Sequence, residues 1–370
     1  MNKSLRIFAA ATACAATAPA FAHHPGGPGN TSGSGPINTI SATTLRAGQG
    51  AAGVMFELIR LKPLSDEALG AAAKADAPPA VHHEVEETGH GHAQADGHSP
   101  HSLSSIESIN IALAYGLTDD LTVSARLPFV RRTDVREGLH FHEHPVLGEH
   151  VNVIETLGDA SGAGDVTLLG QYRFLKDVGS GLEMAALFGV KLPTGKTSET
   201  ANEGERFEAE FQPGSGSWDG QFGLAATMRS GPWSFDTSAL YHLITEGTQD
   251  TDLGDRLLYG VALSYRVMGG PAAEEHVHSD GAVHLYKPAS QALNVDLVLE
   301  FNGEWHDNQK AGTEVDDNSG GHTLYLSPGV RLSAGDWSGF ASVGIPVVED
   351  MNGLQPDPDW KFVTGVAYSF

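Results

Sequence analysis

The 370-residue chain carries 46 acidic against 22 basic residues, a formal charge of −24, and 40% of its residues are hydrophobic. Such an acidic chain repels phosphate backbones, which excludes nucleic acid as a partner. The single cysteine, Cys14, leaves no internal disulfide or thiolate metal site to build on.

Residues 1–22 read as an export signal: Lys3 and Arg6 precede an apolar run from Ile7 to Ala18 that ends at Ala20-Phe21-Ala22, a small-x-small cleavage site. Cleavage removes two basic residues and no acidic one, taking the charge from −24 to −26, and it removes Cys14 as well. Beyond it no stretch approaches the roughly 18 apolar residues that a transmembrane helix needs. Apolar residues instead recur with period two. The other structure that satisfies every backbone group inside lipid is a closed barrel, so the expected fold is all-β, a transmembrane antiparallel β-barrel of about twelve strands over residues 51–370, in the bacterial outer membrane.

Residues 23–50 are rich in Gly, Ser, Thr and Asn, with no sustained alternation. They cannot build a core, and they are expected to lie inside the barrel as a plug or latch, because a twelve-strand lumen is wide enough to admit a peptide. The strands follow at 51–61, 105–116, 121–129, 164–175, 181–193, 217–229, 232–244, 255–267, 293–302, 321–333, 336–347 and 359–370. The third shows the pattern: Leu121, Val123, Ala125, Leu127 and Phe129 alternate with Thr122, Ser124, Arg126 and Pro128. The ninth repeats it, with Leu293, Val295, Leu297, Leu299 and Phe301 against Asn294, Asp296, Glu300 and Asn302.

Connections alternate in length, as expected for short periplasmic turns and long outer loops. The short ones are 117–120, 176–180, 230–231 and 334–335; the long ones include 62–104, 131–163, 194–216 and 305–320. Residues 268–290 break the rule as a long insert on the periplasmic side. Aromatics near strand ends, among them Tyr115, Phe129, Tyr172, Trp218, Trp233, Trp337 and Trp360, suit girdles at the lipid headgroups. The last strand sets Trp360, Phe362, Val366, Tyr368 and Phe370 on one face. This resembles the terminal signal read by the outer-membrane assembly machinery, which with membrane lipid would be the chain's partner.

Reading the polar faces inward lines the lumen with Glu57, Asp165, Glu183, Asp219, Asp236, Asp296, Glu300 and Asp336 against Arg126, Arg173, Lys191, Arg229, Arg256, Arg266, Arg331 and Lys361. Acids and bases balance, so the wall is expected to favour neither cations nor anions. These groups serve either as cross-strand pairs that fill the lumen or as a path for a small-molecule solute.

Histidines concentrate outside the strands. His82, His83, His90, His92, His98 and His101 fall in loop 62–104, His140, His142, His144 and His150 in loop 131–163, and His276, His278 and His284 in the insert. Pairs two apart present imidazoles on one side of an extended segment, as Zn²⁺, Cu²⁺ or Ni²⁺ would need. A solvated acidic loop is the alternative. No cofactor is otherwise called for. Catalysis is not expected: His242, Asp236 and Ser238 share a strand face, but no nucleophile motif surrounds any serine.

Gly162-Ala-Gly-Asp-Val-Thr-Leu-Leu-Gly-Gln-Tyr-Arg-Phe174, followed by Gly189-Val-Lys-Leu-Pro-Thr-Gly195, resembles the outer-membrane transporters named for the meta-pathway of phenol degradation. The resemblance implies a channel loosely related to fatty-acid and aromatic-hydrocarbon uptake barrels, working by diffusion. The reading is therefore a passive outer-membrane channel for small, hydrophobic or aromatic molecules. The alternative is an outer-membrane protein that binds Zn, Cu or Ni through its histidine-rich loops.

Overall fold

Strict alternation forces a strand to choose which face meets lipid, and the computed structural model makes that choice the same way all round the wall. It describes residues 35–76, 100–144, 148–269, 274–277, 283–286 and 293–370, with backbone alone at 140–144, 148–151, 274–277 and 283–286. Residues 1–34, which include the expected leader, lie outside the described residues.

The strands in the first half are β1 (Gly50–Leu61), β2 (His101–Ser102), β3 (Ser105–Thr118), β4 (Leu121–His144), β5 (Gly148–Ala163), β6 (Thr167–Asp177), β7 (Leu182–Lys191), β8 (Asp219–Ser230) and β9 (Trp233–Leu243). Then come β10 (Thr251–Asp252), β11 (Arg256–Met268), β12 (Glu274–Val277), β13 (Val283–Tyr286), β14 (Asn294–His306), β15 (Lys310–Ala311), β16 (Glu314–Val315), β17 (Gly321–Ala334), β18 (Trp337–Met351) and β19 (Pro358–Ser369). One helix, α1 (Asp66–Asp76), follows β1.

Twelve strands close one antiparallel barrel: β1, β3, β4, β6, β7, β8, β9, β11, β14, β17, β18 and β19. They coincide with the twelve segments read from the sequence. First and last strands pair from Ala51↔Ser369 to Leu61↔Pro358, and β4 reaches across β5 to pair with β6 from Leu121↔Tyr172 to Arg126↔Thr167. Each wall strand is thereby paired on both sides, as a backbone in lipid requires.

On β14, Leu297, Leu299 and Phe301 are exposed whereas Asp296, Val298, Glu300 and Asn302 are buried. The other strands repeat this, as in exposed Ile109, Ile111, Leu113 and Tyr115 against buried Ser108, Asn110 and Ala114 of β3. An unbroken apolar exterior of this extent is a membrane surface. Aromatics ring it at the short-turn end, where Trp233 lies 4.4 Å from Tyr265 and Trp337 lies 4.8 Å from Tyr368. Trp218, Trp305 and Trp360 stand at the opposite end of their strands.

Residues 131–163, expected as a loop, are instead mostly strand. β4 continues past the barrel to His144 and pairs with β5 from Phe129↔Ala163 to His144↔Gly148, bulging between Arg132 and Arg136. The segment is too charged to resemble a membrane strand, yet a hairpin in water needs only its own ladder and one covered face. α1 packs on it. The insert at 268–290 contains the hairpin β12–β13, in which His276 opposes His284, and it leaves the strand count unchanged.

At the outer end an apolar cluster joins inward-facing Ile59, Ile106 and Val130 to Val135, Leu157 and Ala160 of the hairpin and to Phe207 and Phe211 of the β7–β8 connection. The outer loops therefore fold over the mouth.

If lipid is the solvent for alternate residues, Leu299→Arg should lower the stability of the vesicle-folded protein by about 2–4 kcal/mol. Denaturant titration followed by tryptophan fluorescence measures this, and an unchanged midpoint and slope would contradict a lipid-facing β14.

Candidate functional site

The interior is occupied by the chain's own N-terminal segment. Residues 36–46 cross the lumen to the turn end of β4 without regular structure, bending at Ile37–Thr39 and at Ala42, and their backbone amides find side chains of the wall rather than a strand. Glu300 of β14 receives the N–H groups of Ile37, Asn38 and Thr39 at 3.0, 2.9 and 3.1 Å, and the Asn38 side-chain amide at 2.6 Å. Ile40 donates to Ser238 Oγ at 3.1 Å, Ala42 to Thr227 Oγ1 at 2.9 Å and Leu45 to Thr122 Oγ1 at 2.8 Å. Gln171 Nε2 donates to the Ser41 and Thr43 carbonyls, each at 2.9 Å, and Arg331 donates to the Pro36 carbonyl. A buried backbone must be paired somewhere, and this one is paired by inward-facing polar residues of six strands.

Apolar contacts accompany these bonds. Ile37 joins Met55, Val298 and Val363, while Ile40 and Ala42 join Leu187, Leu240 and Leu258. The wall is thinned where the segment lies against it: a Cβ at Gly260 would sit 2.6 Å from Thr39 Oγ1, and one at Gly329 would sit 2.6 Å from Ile37 Cδ1. A larger residue at either position would push the segment off the wall.

Elsewhere the wall is laced with charge pairs. Arg173 bridges Asp120 at 2.9 Å and Glu183 at 3.1 Å, and Arg229 reaches Glu183 at 3.3 Å. Lys191 holds Asp165 at 3.0 Å and Asp219 at 2.7 Å, and Arg266 pairs with Asp296 at 2.9 Å. Between the segment and the β1–β3–β4 side of the wall remains a cavity of about 1050 Å³, counting the solvent-filled space it opens to. Its surface includes Met55, Phe340, Ala112 and Ala114 together with Arg126 and Arg331, and no carboxylate is among its lining residues. The even tally of acids and bases over the whole wall thus conceals a local bias.

Above the cavity the outer loops carry two further polar centres. Asp165 ties three segments together, accepting from Gly195 N and Ser215 N at 2.8 Å each, from Ser215 Oγ at 2.7 Å and from Lys191. Burial pushes its pKa up, but Lys191 and these donors outweigh burial and hold it below the usual carboxylate value. The second centre surrounds His101, which is 1% exposed. Its Nε2 lies 3.8 Å from Glu137 and its Nδ1 3.9 Å from Glu208. One ligand atom each from His101, Glu208 and Glu210 can be chosen so that all lie within 4.8 Å of one another. Gln309 donates to Glu210, whose pKa is pushed up to about 8 by burial and by Glu208. Burial opposes the charge on His101, and the carboxylates Glu208, Glu137 and Glu210 still raise its pKa.

The family model described as "Putative MetA-pathway of phenol degradation" matches residues 127–347, more than half of the chain. The chain belongs to this phenol-degradation family. No curated protein matches it. Among solved structures, the crystal structure of an outer membrane channel from Pseudomonas putida F1 shares 15% identity at a TM-score of 0.52, covering 90% of this chain and all of that one. A Pseudomonas aeruginosa FadL homologue has 9% identity and a TM-score of 0.37 over 94% and 92% of the two chains. The TodX deltaS2S3 mutant monoaromatic hydrocarbon channel has 9% and 0.43 over 93% and 92%. With its closed barrel and apolar exterior, this family member is a protein of the bacterial outer membrane.

In this phenol-degradation family barrel, Glu57, Arg126, Arg173, Glu183, Lys191, Arg229, Asp236, Arg256, Arg266, Asp296, Glu300 and Arg331 all stand on the inward face of their strands, as do Asp219 and Lys361. Asp165 lies just before β6, in the loop network. Asp336 corrects the reading: it occupies the exposed β17–β18 turn, one position too early to join the wall. His242, Asp236 and Ser238 are not assembled for catalysis, since Asp236 accepts from Thr227 and Ser234 while Ser238 holds the segment.

His82, His83, His90, His92, His98 and His278 lie outside the described residues, and for His140, His142, His144 and His276 only strand backbone is described. His101 is the one member of that set whose side chain is described, and it is buried beneath the loops rather than displayed on them. Its neighbours Glu208 and Glu210 were missed. The signal for them was the alternation of Phe207, Ala209 and Phe211 with acids, a strand-like pattern inside a presumed loop.

Asp165→Asn should loosen the 194–216 loop at neutral pH, giving several-fold faster proteolytic nicking there while the barrel survives. Because the folded-state pKa is depressed, the wild-type bond network is complete above the usual carboxylate pKa and is lost as pH falls through the lowered value. Nicking of the wild type should therefore stay constant from pH 8 to 5, and equal rates for both proteins would rule out this role.

Proposed function

We propose that the barrel is a passive channel for small, weakly polar solutes of about the size of a phenol, with the N-terminal segment as its internal constriction. The observation that carries this reading is the cavity between residues 36–43 and the β1–β3–β4 wall. Met55, Phe340 and the alanines supply apolar surface, and Asn110 and two guanidiniums supply sparse hydrogen-bond donors. That mixture suits a ring with one or two hydroxyl or carboxylate groups better than a sugar, which needs polar contact all round. Membership of a family described by phenol degradation supports the same size and chemistry. No energy source is needed, since diffusion down a gradient requires only that the solute bind weakly enough to leave.

The constriction follows from Glu300. Its carboxylate holds three successive amides, and charge-assisted bonds of this kind are about twice as strong as neutral ones. A pore that opened by releasing the segment would have to break them together.

Proteoliposome swelling tests the channel: phenol- and benzoate-sized solutes should enter faster than a neutral disaccharide, and no swelling above empty vesicles would overturn it. Deleting residues 35–45 should raise single-channel conductance several-fold, and Glu300→Gln should give an intermediate rise with more frequent openings. Unchanged conductance in the deletion would show that the segment does not restrict the pore.

A further inference from the structure

The cluster at His101 has the makings of a metal centre of its own, separate from the histidine runs that the sequence shows at 82–98, 140–150 and 276–284. Three donors converge from two outer connections: His101 comes from β2, and Glu208 and Glu210 from the β7–β8 connection. His101 Nδ1 is buried and makes no hydrogen bond. A buried imidazole nitrogen left without a partner costs free energy unless something occupies its lone pair or receives its proton. Glu208 Oε2, at 3.9 Å, is too far to hydrogen-bond with it.

The remaining surroundings match what a bound ion requires. Glu137 lies on the far side of the ring, 3.8 Å from Nε2, beyond hydrogen-bond reach but close enough for its charge to favour a proton on Nε2 and so leave the Nδ1 lone pair to a ligand. Gln309 donates to Glu210 and also to Asp316 at 3.3 Å, which orients the more deeply buried carboxylate. Phe211 packs edge-on against the imidazole at 5.0 Å between ring centres and, with Phe207, walls off water.

We infer that His101, Glu208 and Glu210 bind one borderline divalent cation, of the Zn²⁺ class, which ties the β2 segment to the β7–β8 connection over the outer mouth of the barrel. Metal–ligand distances of about 2.0–2.2 Å put donor atoms roughly 3.4 Å apart. The present spacing therefore needs a contraction of about an ångström, and Glu208, whose side chain is 42% exposed, is free to supply it. One imidazole and two carboxylates favour such an ion over Ca²⁺ or Mg²⁺, which take oxygen alone. The three protein ligands leave a fourth position for water.

The test uses the full-length mature protein, refolded in detergent and stripped with chelator. Zn²⁺ calorimetry should show one tight equivalent per chain, and Co²⁺ should give the visible absorption of a four- or five-coordinate site. His101→Gln and, separately, Glu210→Gln should weaken that equivalent at least tenfold and remove the Co²⁺ band, with the strand circular dichroism unchanged. A variant with His90, His92, His140, His142 and His144 all changed to Ala should keep both. The proposal fails if the wild type binds neither ion, if His101→Gln and Glu210→Gln bind as the wild type does, or if the five-histidine variant loses the tight equivalent. In any of those cases His101 is simply a buried imidazole between Glu137 and Glu208. None of these readouts depends on whether the pore conducts.

Discussion

The structure depends on one constraint: inside hydrocarbon no backbone N–H or C=O can be left unpaired. That constraint obliges β19 to find β1 and obliges β4 to reach past β5 to β6. Had β4 paired with β5 along its whole length, the sheet would have kept two open edges in lipid. The hairpin is tolerated because its pairing starts at Phe129, where the outer girdle marks the end of the membrane, and runs outward from there. Where a strand is in lipid its partner is dictated by closure, and where it is in water it can pair locally.

Closure creates a second problem inside. Eight strands enclose a space that side chains just fill, and twelve enclose more. This barrel fills the surplus with its own N-terminal segment, a solution that works only because the wall is polar. The segment has no strand ladder, so its backbone groups turn to side chains: β4, β8, β9 and β14 offer hydroxyl or carboxylate acceptors to its amides, and β6 offers an amide donor to its carbonyls. Arg331 then serves both sides, donating to the Pro36 carbonyl and lying 5.2 Å from the Phe340 ring centre at the cavity's edge. The residues that anchor the segment and those that line the cavity are therefore partly the same.

The legible part of this chain was the part with a period. All twelve wall strands could be read because lipid on one side and a polar lumen on the other leave a two-residue signature, even in weak segments such as Leu182–Lys191. Inward placement of Glu300 or Arg229 followed from the same arithmetic. What could not be read were pairings set by three-dimensional adjacency alone. Nothing about Ile37-Asn38-Thr39 announces that a carboxylate more than 260 residues away will hold it. Nor does the charge-rich stretch after Val130 announce a hairpin, since its exposed face imposes no apolar alternation. His101 was visible as a histidine, but its burial comes from Phe207 and Phe211 folding over it, and their role depends on a loop path that carries no local signal.

Two barriers in series follow from this arrangement, and they differ in kind. The inner one is held by charge-assisted hydrogen bonds between the N-terminal segment and the barrel wall, so it can yield only by releasing several bonds at once. The outer one is an apolar cluster closing over the mouth, with an acidic, histidine-centred pocket at its edge, so its stability is sensitive to whatever neutralises those carboxylates. A small solute with an apolar ring could slip between Phe207, Phe211 and their neighbours by displacing side chains, whereas a heavily hydrated one would have to open the loops. In the proposed channel the cap would select by the cost of dehydration, before the cavity below applied a preference for a few well-placed polar groups.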